Sequence, residues 1–298
     1  MKLKKRKCWM DRTDATLIKG LDSMHVMMPP MLRNRTDNEA FIQEEIDTTA
    51  LDAWLAKKNA ENPEHRYTIF QAIVAALGRT IQQRPRMNWF IMGQRFYERL
   101  NISFSFVAKR TFSDKGAEGL AILTYDPESE KSSIDEMHDK ICDFVYDFRT
   151  NDKQDATQNT TDIINKLPFF LVRFVMWFLH WLDRHGIMPN SLLEEDPYGS
   201  SVFITNLGSL HLKAGYHHLA NWGTNSIFFT VGEKKMKPYF DENGSVTMRP
   251  TIEFGMTLDE RIGDGYYFAK TIRLFKHLML NPELLDTPVN EEVPFDDK

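Results

Sequence analysis

Two periods of apolar positions run through this chain, one typical of helices and one typical of strands. Apolar residues recur every three or four positions over 68–77 and 133–148, which predicts two amphipathic helices. They alternate with polar residues over 101–108 and 252–256, which predicts strands with one buried face. The mixture of both periods predicts an α/β fold rather than a purely helical or purely stranded one.

The remaining elements follow from the same pattern and from turn residues. Asn243-Gly244 predicts a hairpin, and Ser133 with Glu136 has the spacing of a capping box. Helices and strands do not alternate strictly, and no glycine-rich loop links a strand to a helix, so a nucleotide site of the Rossmann or P-loop type has little support. Further strands are predicted at 39–47, 120–125, 201–206 and 226–231, and further helices from about residue 48 and over 266–280.

No repeat or low-complexity linker divides the chain, so one domain is predicted over residues 15–285. Residues 1–14 are interpreted as a basic tail and residues 286–298 as a mobile acidic tail. Cys8 and Cys142 are the only cysteines, which is neither a disulfide framework nor a zinc site. A reducing, cytoplasmic setting without a bound metal is therefore expected.

Composition narrows the classes of function. The net charge of −5 argues against a general nucleic-acid binder, because phosphate binding needs a basic face. Aromatic residues make up 12% of the chain, which favours large buried surfaces, a deep pocket or a subunit interface.

The longest apolar stretch covers residues 167–182 and is interrupted by Arg173 and His180. A membrane span needs about 20 apolar residues without a central charge, so this stretch is too short. The first interpretation is a helix that is buried or lies in an interface. Weak contact with a membrane surface and a lid over an apolar acyl channel are the alternatives.

Three short motifs resemble one enzyme family. Phe-Ile-Thr-Asn-Leu-Gly at 203–208 is similar to the Ser/Thr-Asn-Leu-Gly segment of 2-oxoacid dehydrogenase acyltransferases. An apolar strand at 227–232 ends in Val-Gly and is followed by Lys-Pro, as in that family. Asp-Glu-Arg-Ile-Gly-Asp-Gly at 259–265 resembles the family's Asp-His-Arg-x-x-Asp-Gly, and it too precedes a helix that ends near Asn-Pro-Glu.

The resemblance covers roughly residues 15–285 and extends to chloramphenicol acetyltransferase. It implies a two-layer α/β sandwich with a large mixed sheet, assembly as a homotrimer, and an active site in a channel between neighbouring subunits. The implied activity is transfer of an acyl group between coenzyme A and an acceptor. Since the chain shows no lipoyl-lysine domain, we expect a stand-alone acyltransferase.

The resemblance also assigns roles to individual residues. Thr205 occupies the position whose hydroxyl binds the oxyanion, although threonine is also a common strand residue. Asp264 matches the aspartate that orients the site through an ion pair, for which Arg33 or Arg35 are candidate partners. Glu260 stands where the family has its catalytic histidine.

A glutamate at the position of the base changes the chemistry. An unperturbed glutamate has a pKa of about 4.3 and a thiol about 8.5, so proton transfer is uphill by roughly 6 kcal/mol. Enclosure beside the aromatic residues at 266–268 would lessen this gap. The alternatives are that Glu260 is structural, and that His217 or His218 supplies the base. If no base remains, the protein is a silent trimeric scaffold or an acyl-CoA binder.

Overall fold

A seven-stranded mixed sheet forms the centre of the computed structural model, which describes residues 1–7, 11–61, 63–110, 118–126, 128–150 and 167–295. Its strands are β2 (Glu39–Asp47), β5 (Ser103–Lys109), β6 (Glu118–Thr124), β7 (Val202–Asn206), β8 (Ile227–Val231), β9 (Lys235–Phe240) and β10 (Val246–Asp259). They follow the order β2-β10-β8-β7-β5-β6, and β9 pairs with β10 beside this path. The β5–β7 and β7–β8 pairs are parallel, and the other pairs are antiparallel.

Helices cover one face of this sheet. The described helices are α1 (Ser23–Met31), α2 (Thr49–Ala60), α3 (Ile69–Gln83), α4 (Ser133–Thr150), α5 (Phe169–Arg184), α6 (Asn190–Glu195) and α7 (Gly265–Leu280). The main core consists of apolar residues from α2, α3, α4 and α7 together with inward-facing residues of the strands. This arrangement confirms the predicted two-layer α/β sandwich with a large mixed sheet.

A second, three-stranded sheet was not predicted. It contains β1 (Ala15–Leu17), β4 (Arg95–Arg99) and β3 (Trp89–Met92), in that order. Helix α1 was also missed, because Pro29 and Pro30 lie inside it and proline normally disfavours a helix interior. The short strands give too few positions for a period to be recognised.

Helix capping differs from the prediction. The capping box belongs to α3, where Thr68 Oγ1 accepts a hydrogen bond from Gln71 N, and Gln71 Oε1 accepts one from Thr68 N. The box predicted for Ser133 and Glu136 is not formed. Ser133 Oγ instead donates to Thr287 O (2.7 Å), and Glu136 Oε1 accepts from the backbone of Asp126 (2.7 Å). Tertiary contacts therefore outcompete the local motif.

Some residues of the two predicted tails are buried in the folded structure. Arg12 is 2% exposed and forms ion pairs with Asp14 and Asp183. Near the other end, Val289 and Val293 are buried in the main core. The charged residues near both ends predicted segments exposed to solvent, but a charged side chain can be buried where it is paired. Residues 8–10, with Cys8, and 296–298 lie outside the described residues.

Helix α5 presents its aromatic residues to solvent in the single chain. Phe169 is 75% exposed, Phe170 73% and Trp177 60%, whereas Asp183 is buried. The prediction that this helix is buried within its own chain is therefore wrong. A position in an interface or contact with a membrane surface remains. Within the described parts of the chain, no helix is both long enough and apolar enough to cross a bilayer.

Candidate active site

Thr205 lies on the sheet face that points away from the helices, which we call the loop face. Strand alternation explains this, because its neighbour Ile204 belongs to the main core. Thr205 is half-buried near the end of β7 and lies opposite Thr230 of β8. None of the described residues forms a hydrogen bond with its hydroxyl, which leaves the hydroxyl able to donate to a ligand.

The 259–265 motif forms the turn from β10 into α7 and contains a buried ion pair. Asp259 is fully buried and accepts hydrogen bonds from Arg261 Nε (2.7 Å) and Arg261 Nη2 (2.6 Å). Arg35 Nε lies 3.8 Å from the same carboxylate. The bidentate contact fixes the turn, because a planar guanidinium and a carboxylate have matching geometry.

Asp264 has a different role from the one predicted. Its exposed carboxylate caps α7 by accepting a hydrogen bond from Tyr267 N (2.7 Å). The expected ion pair of Asp264 with Arg33 or Arg35 is wrong, since the Arg35 guanidinium approaches Asp259. An aspartate at this position serves the helix N-terminus well, because its charge and acceptor oxygen both match the unpaired N–H groups there.

Glu260 lies just after Asp259 with its side chain exposed, and its backbone N–H donates to Asn38 O (2.9 Å). The apolar enclosure expected from the neighbouring aromatic residues is not formed within the single chain. Tyr266 is 70% exposed, and Phe268 is directed into the main core. Any enclosure of Glu260 would have to come from another copy of the chain or from a ligand.

Thr205 and Glu260 lie at opposite ends of the sheet in one chain. The strand register places Thr205 beside Thr230, and Thr230 beside Gly255 of β10. Glu260 follows Gly255 by five residues, which is about 16 Å along the strand at a rise of about 3.3 Å per residue. The two strand spacings between β7 and β10 add about 5 Å each in the perpendicular direction. A single chain therefore does not bring the two side chains together.

His217 and His218 lie on the loop face between these two ends. The His217 ring stacks on Phe228 with 4.0 Å between ring centroids, and on His218 with 4.6 Å. Both histidines are exposed. Phe228 pairs with Thr257, two positions from Gly255 towards Glu260, so His217 lies partway between the two candidate residues. The structure thus places a possible base nearer to Thr205 than Glu260 is.

The segment that carries the histidines lies close to the sheet because of a glycine. A Cβ at Gly255 would collide with Gly215 O and Thr230 Oγ1. Thr230 Oγ1 in turn donates to Gly215 O and to Gly255 O (3.0 Å). The sequence offered Gly255 only as a break in a strand pattern, a signal that is typical of close backbone approach.

An apolar cavity of about 250 Å³ beneath α5 contains groups that the sequence did not single out. Met176, Leu179 and Leu192 line it, together with the half-buried Asp196. Burial raises the pKa of Asp196 to about 6, against hydrogen bonds from Tyr198 N and Trp222 Nε1 that lower it. A carboxyl in such surroundings exchanges a proton near neutral pH. Within the described part of the chain, no His, Cys, Asp and Glu side chains gather as a set of metal ligands.

Part of the sequence matches one known protein family. Residues 186–286 match the catalytic domain of 2-oxoacid dehydrogenase acyltransferases. The matched segment includes Thr205, the two histidines, Glu260 and Asp264. A search of curated protein sequences found no match.

Solved structures share the fold. A probable dihydrolipoamide acetyltransferase from Listeria monocytogenes superposes with a TM-score of 0.57 at 13% identity, over 89% of this chain and 95% of that chain. A dihydrolipoamide acetyltransferase from Azotobacter vinelandii, investigated for a serine, a histidine and an asparagine in its mechanism, gives 0.57 at 14% identity, over 90% and 93%. The cubic core of a pyruvate dehydrogenase multienzyme complex gives 0.58 at 12% identity, over 90% and 93%.

At these identities the superpositions establish the fold, and the sequence match covers the segment with the candidate residues. The chain therefore has the fold of the 2-oxoacid dehydrogenase acyltransferases, and its residues 186–286 match the catalytic domain of that family.

Proposed function

We propose that this protein transfers an acyl group between coenzyme A and an acceptor, in sites that are each assembled from two copies of the chain. The observation that carries the proposal is the position of Thr205 and Glu260 at opposite ends of one sheet. A site that contains both side chains requires Thr205 from one copy and Glu260 from another. The match to an acyltransferase catalytic domain supports this type of chemistry.

The loop face supports association of copies into a homotrimer. Phe41 on β2 is 53% exposed and Val107 on β5 is 46% exposed, although both alternate with residues that pack into or against the core. Apolar side chains exposed on both sides of the loop face are typical of a surface that another protein covers. A second copy seated there would also exclude water from the Thr205 hydroxyl.

The reaction follows from the groups that would meet. A base removes the proton of the attacking thiol or hydroxyl, and the resulting anion adds to the thioester carbonyl. The oxygen of the tetrahedral intermediate becomes negative and accepts a hydrogen bond from the Thr205 hydroxyl. Collapse of the intermediate breaks the original C–S bond, and the departing thiolate regains a proton from the same base. Glu260 is our first choice of base, and His217 or His218 is the second.

The test is release of free thiol from a panel of acyl-CoAs. Thr205→Val should lower kcat by about a hundred- to a thousandfold, because one oxyanion donor is lost. Glu260→Gln should lower kcat by about a hundred- to ten-thousandfold if Glu260 is the base. Glu242→Gln is the matched control, since Glu242 is an exposed glutamate in the β9–β10 hairpin. Turnover that survives both Glu260→Gln and the His217→Ala, His218→Ala double variant would contradict both choices of base.

The exposed side chain of Glu260 favours a second candidate, a silent trimeric scaffold or acyl-CoA binder. In that case Glu260 is only a surface residue, and Asp264 only caps α7. Coenzyme A binding by calorimetry, without thiol release from any acyl-CoA, would support this candidate over the enzyme.

Weak contact of α5 with a membrane surface is a further part of the proposal. Exposed phenylalanine and tryptophan side chains with a basic Arg173 are typical of helices that lie in a lipid interface. Flotation with vesicles that contain anionic lipid should occur, and Phe170→Ser with Trp177→Ser should abolish it. If the double variant instead converts the oligomer to monomer and the wild type does not float, α5 belongs to the subunit interface.

A further inference from the structure

A cavity of about 280 Å³ between the end of α1 and the end of α5 has an unusual concentration of positive charge. None of its lining residues is acidic. We call it the arginine cavity, after its basic lining residues Arg33, Arg35, His180, Arg184 and Arg261. It lies apart from Thr205, on the side of the molecule where the 259–265 turn begins.

The positive charge of this cavity is only partly compensated. Asp259 binds Arg261 with two oxygens and lies 3.8 Å from Arg35 Nε. Four guanidinium groups thus have one carboxylate in contact, while Asp183, which pairs with Arg12, acts on Arg35 from a greater distance. Among the described residues, no carboxylate lies within 4 Å of the guanidinium groups of Arg33 and Arg184.

The positive charge of Arg35 is buried in the protein rather than exposed to water. It is 5% exposed, and its terminal nitrogens donate to Ala220 O (2.6 Å) and Gly223 O (3.1 Å). Its Nε is buried without a hydrogen-bond partner. Burial lowers the pKa of Arg35 to about 10, although Asp259 acts in the opposite direction. An anion in the adjacent cavity would stabilise this charge.

Two further arginines, Arg33 and Arg184, line the cavity. Arg184 is the last residue of α5, it is exposed, and no described side chain pairs with it. Arg33 is exposed too, and its Nε donates to Pro30 O (3.3 Å). Exposed guanidinium groups above a buried one can bind an oxyanion from several directions, because their planar forks match phosphate oxygens.

We propose that the arginine cavity is a binding site for a phosphate ester or diphosphate group. Four guanidinium groups with a single carboxylate in contact give the cavity a net positive charge, which favours a dianion over a single carboxylate. The site does not depend on acyl transfer, because neither Thr205 nor Glu260 lines it. Phosphate of this kind is carried by soluble nucleotides such as coenzyme A and by the head groups of anionic lipids, and the experiment below separates the two sources.

The experiment measures pyrophosphate binding by isothermal titration calorimetry to the full chain at low ionic strength. The Arg33→Ala, Arg184→Ala double variant should raise Kd by roughly ten- to a hundredfold, since two charged hydrogen-bond donors are lost. Both side chains are exposed, so the variant keeps the folded core. Arg66→Ala is the matched control, because Arg66 is an exposed arginine outside the cavity, and its Kd should equal that of the wild type.

Competition then identifies the source of the phosphate. Displacement of pyrophosphate by coenzyme A but not by pantetheine indicates a soluble nucleotide. Displacement by vesicles with phosphatidic acid, but not by neutral vesicles, indicates a lipid head group. The proposal is overturned if pyrophosphate binds the double variant as tightly as the wild type, or if Arg66→Ala weakens binding as much as the double variant does.

Discussion

Aromatic residues occur both in the core around α7 and on the outer face of α5, but they are buried in the core and exposed on α5. Phe229, Phe254 and Phe275 form a cluster with ring centroids 5.3 to 5.6 Å apart, and each is at most 3% exposed. On α5, Phe174 and Phe178 also stack, at 6.4 Å, yet they are 57% and 43% exposed. Helical spacing of aromatic residues therefore indicates that a face will be covered, but it does not say by what.

The two regions also differ in how they are anchored. Helix α3, which belongs to the core, begins with a complete capping box. Helix α5 has Pro168 as its N-cap residue and no side-chain cap, and its buried contact with the N-terminal segment is the ion pair of Asp183 with Arg12 (2.6 Å). Packing holds the first region together, and a buried charged contact helps to attach the second.

Removal of an aromatic ring should give the largest difference in the free energy of unfolding between the core around α7 and the outer face of α5. Phe254→Ala should lower the free energy of unfolding by about 3–5 kcal/mol, because it leaves a cavity in a packed cluster. Phe174→Ala on α5 should change it by less than about 0.5 kcal/mol, as exposed substitutions do. Urea unfolding of both variants measures the difference. A comparable loss in Phe174→Ala would mean that another molecule covers α5 in solution.

Loss of the ion pair between Asp183 and Arg12, which anchors α5, should have the next largest effect. Asp183→Ala should destabilise the protein by about 3 kcal/mol, because Arg12 is 2% exposed and would keep only Asp14 as a charged partner. Amide hydrogen exchange along α5 should accelerate more than exchange in α3. The exposed Glu194→Ala on the neighbouring helix is the control, and equal effects in the two variants would refute the anchor.

The cavity beneath α5 should make stability depend on pH through Asp196. Its pKa is raised to about 6 in the folded state from an ordinary value of 3.8, so the folded protein binds this proton more tightly than the unfolded chain. The penalty is absent below about pH 4, grows as pH rises towards 6, and stays constant above that. Wild type should lose about 3 kcal/mol over this window relative to Asp196→Asn. Parallel pH profiles for the two proteins would contradict the assignment.

The cap of α3 should give the smallest of these effects. Thr68→Ala removes the acceptor for Gln71 N and should cost about 1 kcal/mol in the free energy of unfolding. Thr247→Ala, at an exposed position of the β9–β10 hairpin, is the control and should change little. Chemical denaturation with both variants checks the difference, and a neutral Thr68→Ala would show that packing alone sustains α3.

Much of the fold could be predicted from local patterns. The strand at 39–47, the helix that begins after Thr68 and the Asn243-Gly244 hairpin all occur where the sequence placed them. The motif resemblance to the acyltransferase family was confirmed by the match at 186–286 and by the superpositions. These features depend on periodicity, turn chemistry and short motifs, each of which is contained within a few neighbouring residues.

The candidate site was only partly accessible in this way. Thr205, Glu260 and the two histidines were named from motifs, but their roles as site residues stay proposals. The partner of Arg35 was mistaken, because Asp259 and Asp264 are five residues apart and only the turn decides which of them is buried. The arginine cavity could not be foreseen at all, since its members come from residues 33–35, from α5 and from the 259–265 turn.

The sequence by itself determined most strands of the large sheet, the helices of the main core with their apolar faces, and the family that residues 186–286 resemble. The tertiary structure alone decided that Thr205 and Glu260 lie at opposite ends of the sheet, that α5 shows its aromatic face to solvent, and that four arginines surround one cavity. The physical reason is that alternation and helical period are set by neighbouring residues. Charge clusters and distances between strands depend instead on contacts between residues far apart in the chain.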